Sequence, residues 1–252
     1  MLSQEQKIQG SPFLEEAIAS CALDGETQCG TIEPKGKVVL ILSGGLDSTT
    51  LLYDLIDRGY EVYALSFNYN QKHLKEVKMA EKTCKILSVP HKILNLEVLN
   101  EIAPSALTRK EIKVPDGDYK DENMKLTVVP NRNMVMLALA TSYAIGIGAK
   151  KVFYGAHAGD HAIYPDCRKE FIDKMREVIK ICDWFPVELE APYWNMDKGQ
   201  IVFKGHHLKV NYKNTVTCYK GLKKACGECG SCRERLEAFE KAGLRDPIEY
   251  ER

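Results

Sequence analysis

Two short stretches of this chain carry residues whose types and spacing could do chemistry. The first is Ser43-Gly44-Gly45-Leu46-Asp47-Ser48. Its glycines let backbone N–H groups approach an anion closely, and a helix starting there would add its positive dipole end. The hydroxyls of Ser43 and Ser48 can donate to phosphate oxygens. Asp47 is the odd member, because a carboxylate beside phosphates repels them unless it caps the helix or holds Mg²⁺. The plainer alternative is a strand-to-helix turn with Asp47 as its cap. The second stretch is Cys218-x₇-Cys226-x₂-Cys229-x₂-Cys232, with Gly221, Gly227 and Gly230 to turn the chain around one ion. Four thiolates suit tetrahedral Zn²⁺ in a closed, structural site. The same thiols would serve an iron–sulfur cluster, or stay unliganded.

These residues need elements to position them. Val38 to Leu42 is a β-branched apolar run fit for a buried parallel strand, and it leads directly into the glycine loop. Ser48 to Asp57 reads as the following helix, stopped by Gly59. Further strands are predicted at Glu61 to Phe67, His91 to Leu96, Lys151 to Gly155 and Val187 to Glu190. Helices are predicted at Lys72 to Leu87, Asn131 to Ile147, Arg168 to Ile181 and Lys198 to Leu208. Alternation of this kind implies a doubly wound, mostly parallel α/β sheet covered on both faces. Residues 104 to 129 hold Pro104, Pro115, Asp116-Gly117 and many charges, which predicts a long mobile loop of the lid kind.

Three segments are expected: an extension over 1–36 with a short helix, a catalytic domain over 37–210, and a metal-binding C-terminal segment over 211–252. The extension is acidic, with six acidic and two basic residues. Over the whole chain 35 basic residues balance 35 acidic ones, which counts against a protein that lives on nucleic acid. No apolar stretch is long enough to span a bilayer, and the first residues lack the pattern of a signal peptide. A cytoplasmic, reducing setting follows, in which the nine cysteines favour metal over disulfides.

The complete SGGxDS string resembles the signature of PP-loop ATP pyrophosphatases, enzymes of the adenine nucleotide alpha hydrolase-like fold. GxxxxGK[ST] of Walker loops is absent. The resemblance implies cleavage of ATP between the α- and β-phosphates, with AMP transferred to a carboxylate or carbonyl oxygen. It gives the phosphates to Leu42, Ser43, Gly44, Gly45, Leu46, Asp47, Ser48 and Thr49, and the adenine to Leu65, Ser66 and Phe67. Several more strings resemble the 7-cyano-7-deazaguanine synthases of the queuosine and archaeosine pathways. They are FNYNQKH (Phe67 to His73), SALT (Ser105 to Thr108), VPNRN (Val129 to Asn133), YPDCR (Tyr164 to Arg168), Glu190-Ala191-Pro192, and TCY (Thr217 to Tyr219) before the cysteine knuckle.

That likeness implies ATP-dependent conversion of 7-carboxy-7-deazaguanine and ammonia to the nitrile, with ATP, Mg²⁺ and Zn²⁺ required and a homodimer expected. Ser43, Asp47, Ser48, Arg132 and Lys198 are the expected catalytic residues. Lys72, His73, Asp160, Tyr164, Asp166 and Arg168 are expected at the substrate, with the aspartates reading a guanine-like edge and Tyr164 stacking. The chain departs from the family pattern at His157-Ala158-Gly159-Asp160-His161 and at Asn131, where a glycine is usual. A subgroup that passes the activated deazaguanine to another amine, such as a protein amino group, is therefore an alternative. A tRNA-thiolating PP-loop enzyme and a non-enzymatic zinc-knuckle module are others. The two histidines could also be read as metal ligands.

Overall fold

The computed structural model describes residues 35–72, 75–109, 111–117 and 122–251. The predicted helix of the 1–36 extension, with Cys21 and Cys29, and His73 lie outside them. Five strands form one parallel sheet: β1 (Lys37–Ile41), β2 (Glu61–Asn68), β3 (His91–Asn95), β4 (Lys151–Phe153) and β5 (Glu188–Glu190). Their order is β3-β2-β1-β4-β5. From β1 the chain winds outward through β2 and β3, then returns to lay β4 on the other flank of β1, with β5 beyond. β1 and β4 therefore straddle the point where the winding reverses, and the crevice beyond their carboxyl ends is where such a fold binds ligands.

Side chains alternate across β1 and feed two cores. Val39 joins Leu65, Val152 and Leu189 beneath α4 (Arg132–Ile147) and α5 (Lys169–Ile181), through Leu137, Ala140, Ala144, Ile172 and Met175. Val38, Leu40 and Leu42 face the other way. There they pack on α1 (Leu46–Asp57), α2 (Lys75–Ile86), α6 (Lys198–His207) and α7 (Gly230–Lys241), through Leu51, Leu55, Ala80, Val202 and Phe239. Burial on both faces explains why β1 reads as an apolar run and not as an alternating pattern. A short α3 (Glu97–Ile102) follows β3.

Two differences from expectation stand out. In the predicted mobile loop, Ser105, Ala106, Leu107 and Thr108 are buried, as are Met124, Thr127 and Val129. The Ala106 N–H donates to the Leu126 carbonyl at 2.7 Å, and residues Glu122–Thr127 form a 3-10 helix. The described part of this segment is anchored, because its few apolar residues are spent on the core while its charges face outward. The second difference is α7, which the apolar periodicity did not disclose. Its first buried residues are Gly230, Ser231, Cys232 and Arg235, small or polar, and the apolar Ala238 and Phe239 follow only near its end.

Arg235 explains how polar residues can sit there. Its guanidinium is fully buried and forms a fork with Asp246, Nε at 2.7 Å and Nη2 at 3.0 Å. Nη1 donates to Thr215 Oγ1 at 2.8 Å, and the Tyr250 hydroxyl donates to the same aspartate at 2.5 Å. Breaking a buried pair strands the remaining charge, so Arg235→Ala is expected to cost about 3–5 kcal/mol in denaturant unfolding. A loss under about 1 kcal/mol would show that Asp246 finds another partner or water.

Candidate active site

β1 ends at Ile41, and the loop Leu42 to Gly45 turns the chain into α1. Gly44 has a left-handed φ of +89°, and a Cβ there would lie 2.0 Å from the backbone carbonyl oxygen of Glu76. Only glycine fits, so the loop is pressed against the first turn of α2. Ser43 and Ser48 hydroxyls lie 2.9 Å apart, and Ser43 Oγ accepts from the Gly45 N–H at 3.1 Å. The α1 N-cap is Gly45, with no side-chain cap. Asp47 is therefore not the helix cap, and its carboxylate is spent elsewhere.

Asp47 Oδ2 lies 3.5 Å from Lys198 Nζ and 3.7 Å from His157 Nε2. Asp47 Oδ1 is buried with no hydrogen-bond partner among the described residues. Lys198 opens α6, whose Asp197–Gln200 capping box fixes the first turn at 2.9 Å on both bonds. From there its ammonium reaches Glu234 of α7 at 2.5 Å. Burial works against that charge, but Asp47, Glu234 and Asp160 outweigh it and hold the ammonium above the ordinary lysine range. His157 follows β4. Its Nδ1 accepts from the Gly159 N–H at 3.1 Å, which leaves Nε2–H facing Asp47 and, at 3.5 Å, Asp160. His161 Nε2 is buried without a hydrogen-bond partner among the described residues.

Asp47, His157, Asp160 and Lys198 line a cleft of about 200 Å³ together with Phe67, Tyr69, Glu76, Arg132, Tyr154 and Tyr164. Arg132 opens α4, where its Nη1 is 3.5 Å from the Tyr69 hydroxyl and its guanidinium faces the Tyr164 ring at 6.0 Å. Asn131 precedes it with a left-handed φ of +59°. Asparagine tolerates that conformation nearly as glycine does, so the departure from the usual glycine keeps the backbone shape. Tyr164 exchanges hydrogen bonds with Thr127 at 2.8 Å and Tyr219 at 3.3 Å. The Tyr154 hydroxyl is buried and has no hydrogen-bond partner among the described residues.

Of the expected site residues, the structure gathers Leu42, Ser43, Gly45, Leu46, Asp47, Ser48, Phe67, Arg132, Asp160, Tyr164 and Lys198 at this cleft. Others fall elsewhere. Gly44 serves the close approach just described, and Thr49 is buried beneath the loop. Leu65 is core, and the Ser66 hydroxyl is held by the Leu42 carbonyl at 2.5 Å and His91 at 2.7 Å. Lys72 donates to the Ile112 carbonyl at 2.6 Å, and Arg168 to the His161 carbonyl at 2.8 Å. Asp166 accepts from the Asn133 N–H at 3.1 Å, at the N-terminus of α4. That is a capping contact for the helix that presents Arg132.

Sequence reasoning missed Glu76, Glu234, Tyr69 and Tyr154. Glu76 lies on the side of α2 that carries the buried Ala80 and Thr83, but one acidic residue in a helix's first turn gave no sign of a site. Its place at the cleft follows from the seating of α2 on Gly44. Burial raises its carboxyl to about 8, against the pull of Arg132 and Lys198.

Beyond the loop, the C-terminal segment closes the cleft. The Val216 N–H donates to the Gly44 carbonyl at 3.1 Å, and Thr217 and Tyr219 add to the wall. Between these two stands Cys218. Its sulfur and those of Cys226, Cys229 and Cys232 all lie within 4.8 Å of one another, buried. Thiolates on one tetrahedral ion about 2.3 Å away are about 3.8 Å apart. Cys226 and Cys232 are separated by 3.8 Å. The set fits a single metal ion. By contrast, burial pushes the Cys84 thiol up to about 12, so this lone core cysteine stays protonated.

A doubly wound parallel sheet with a Ser-Gly-Gly-x-Asp-Ser loop at its switch point defines the PP-loop class of ATP-using enzymes. A family profile described as "Queuosine biosynthesis protein QueC" matches residues 37–243, and the chain belongs to that family. It is 62% identical over 215 residues to the 7-cyano-7-deazaguanine synthase of Methanoregula boonei, covering 85% of this chain and 99% of that protein. It is 58% identical to the enzyme of that name from Caldicellulosiruptor bescii, covering 85% and 97%. A third, from Pseudoalteromonas translucida, is 51% identical, covering 85% and 99%. The chain is thus an enzyme of the ATP-dependent ligase type. No helix among the described residues is long and apolar enough to cross a membrane.

Proposed function

We propose that this enzyme converts 7-carboxy-7-deazaguanine and ammonia to 7-cyano-7-deazaguanine, consuming ATP and releasing AMP and pyrophosphate. The observation that carries the reading is one cleft holding both kinds of recognition. The phosphate loop with Lys198 and Arg132 provides for an anion, and Asp160 and Tyr164 provide for a flat, donor-rich base. A carboxylate is a poor electrophile, and adenylation turns its oxygen into a leaving group. The chain's task is to hold two anions in contact and stabilise the charge that moves onto pyrophosphate.

In this reading Ser43, Ser48 and the first N–H groups of α1 hold the β- and γ-phosphates. Lys198 and Arg132 lie against the α-phosphate, where charge builds as the carboxylate oxygen attacks. Phe67 flanks the adenine, in the place first expected of β2. Asp47 Oδ1, buried without a hydrogen-bond partner, suits a Mg²⁺ ion carried by the nucleotide, and bound Mg²⁺ would neutralise phosphate charge. The four cysteines would hold Zn²⁺ as a structural clamp. Attack by ammonia on the adenylated carboxylate gives the amide. A second adenylation, of the amide oxygen, and departure of AMP give the nitrile.

Mass spectrometry of a reaction of the full chain with ATP, Mg²⁺, ammonium and 7-carboxy-7-deazaguanine tests the reading. Nitrile with AMP is expected. AMP with no nitrile would move the search to another amine acceptor, and no AMP at all would remove this substrate.

A further inference from the structure

We infer that the Tyr154 hydroxyl donates a hydrogen bond to the bound base, at the ring carbonyl oxygen beside N1–H, and so helps to select the substrate that is activated. The inference rests on the synthase reading and names one contact within it. Tyr69, Tyr154, Tyr164 and Tyr219 all line the cleft. Tyr69 meets Arg132 at 3.5 Å, and the hydroxyls of Tyr164 and Tyr219 meet each other at 3.3 Å. Tyr154 is only 5% exposed, yet its hydroxyl has no hydrogen-bond partner among the described residues. A buried polar group left unmet costs stability, so such a group at a cleft points to a partner that arrives with the ligand.

The order of the strands decides which ligand that is. Tyr154 directly follows β4, whereas Phe67 lies in β2, and β1 with its phosphate loop runs between those two strands. The adenine is placed on the β2 flank, so the β4 flank is left for the molecule to be activated. Tyr154 is held there by its backbone, whose N–H donates to the Glu190 carbonyl at 3.1 Å. Gly155 follows, where a Cβ would lie 3.4 Å from the Ser48 nitrogen. The chain at Tyr154 therefore runs against the start of α1, and a base resting on it stands next to the phosphates.

The surroundings of the hydroxyl fix its role. Burial above all, and then Cys167, Asp166 and Asp160, hold the phenol proton well above the usual tyrosine range, with Arg176 opposing them. The group is a donor and calls for an acceptor. A guanine-like edge sets its carbonyl oxygen directly beside N1–H. Asp160, at the same cleft, can take N–H protons while Tyr154 gives one to the adjacent oxygen. An amino group at that ring carbon would offer no such acceptor.

Calorimetric titration of the full chain tests the contact. One titration adds α,β-methylene-ATP with Mg²⁺, and a second adds 7-carboxy-7-deazaguanine to the protein so loaded. In Tyr154→Phe the deazaguanine Kd should rise by about 5–50-fold, while the nucleotide Kd stays within about twofold of wild type. The free variant should unfold at the wild-type temperature or above it, because the change removes an unmet hydroxyl and keeps the ring. A ligand-side variant makes the test independent of folding. The 2,6-diaminopurine analogue, with an amino group in place of the carbonyl, should bind wild type more weakly than the guanine form does. In Tyr154→Phe that preference should narrow by about the same factor as the affinity lost. Equal deazaguanine affinity in the two proteins would show that the hydroxyl meets only water or nothing, and would overturn the assignment. Equal weakening of nucleotide and deazaguanine would overturn it as well. Wild-type protein that binds the nucleotide but no 7-carboxy-7-deazaguanine would instead sink the synthase reading beneath it.

Discussion

Asp47→Ala lowers nitrile and AMP formation by at least about 10²–10³-fold while the protein stays folded, because the lost group acts on charge that develops in the transition state. The expectation comes from where the carboxylate is aimed. It does not cap α1, and its Oδ1 is buried with no hydrogen-bond partner among the described residues, which makes no sense for a purely structural group. Its Oδ2 shares Lys198 with Glu234, and it faces His157 across 3.7 Å. When Asp47 is removed, Glu234 still partners the buried Lys198 at 2.5 Å. No charge is stranded, so the unfolding free energy should move by no more than about 1 kcal/mol. Asp47→Asn keeps the shape, removes the charge and should lose as much activity. Calorimetry or denaturant unfolding checks the fold, and mass spectrometry of AMP checks the chemistry. Turnover within tenfold of wild type in both variants would take Asp47 out of the machinery.

What could be read from sequence divides along a physical line. The central strands were legible because a parallel strand buried on both faces must be a continuous apolar run. Their alternation with helices then implied a parallel, doubly wound sheet. The Ser-Gly-Gly turn between β1 and α1 was legible because glycine and serine at a strand–helix junction have few other uses, and the resemblance of the whole string pointed to ATP. The cysteine spacing carried its own meaning. What stayed hidden depends on distance in space between residues far apart in the chain. Glu76 reaches the cleft through the fit of Gly44 against α2, and Glu234 reaches Lys198 from α7, whose first buried residues are small or polar. Lys72 and Arg168 show the opposite side of the same point. A basic residue inside a recognised motif was expected at an anion, yet each donates to a backbone carbonyl of a neighbouring loop. Motif membership located the loops; it did not say which way the side chains point.

Cys229→Ser should act in the reverse order from Asp47→Ala, on metal and stability first and on activity as a consequence. Cys229 is fully buried, and its N–H donates to the Cys226 sulfur at 3.3 Å. It is also the residue from which α7 starts. Loss of one thiolate from a four-thiolate site weakens binding of the ion, and metal binding in such segments is folding free energy. We expect metal content to fall from about one ion per chain to a small fraction, with a stability loss of about 3–5 kcal/mol. Activity then follows through geometry, since α7 carries Glu234 to Lys198 and Arg235 to Asp246, while Val216, two residues before Cys218, is bonded to Gly44 of the phosphate loop. Cys84→Ser is the matching control: its thiol is buried in the core beside Leu87 and away from the cluster, so it should lower stability slightly and leave metal content unchanged. Elemental analysis and thermal unfolding, with and without a chelator, read both variants. If Cys229→Ser kept its metal and its unfolding midpoint, the four-cysteine cluster would not be the clamp that joins the C-terminal segment to the catalytic sheet.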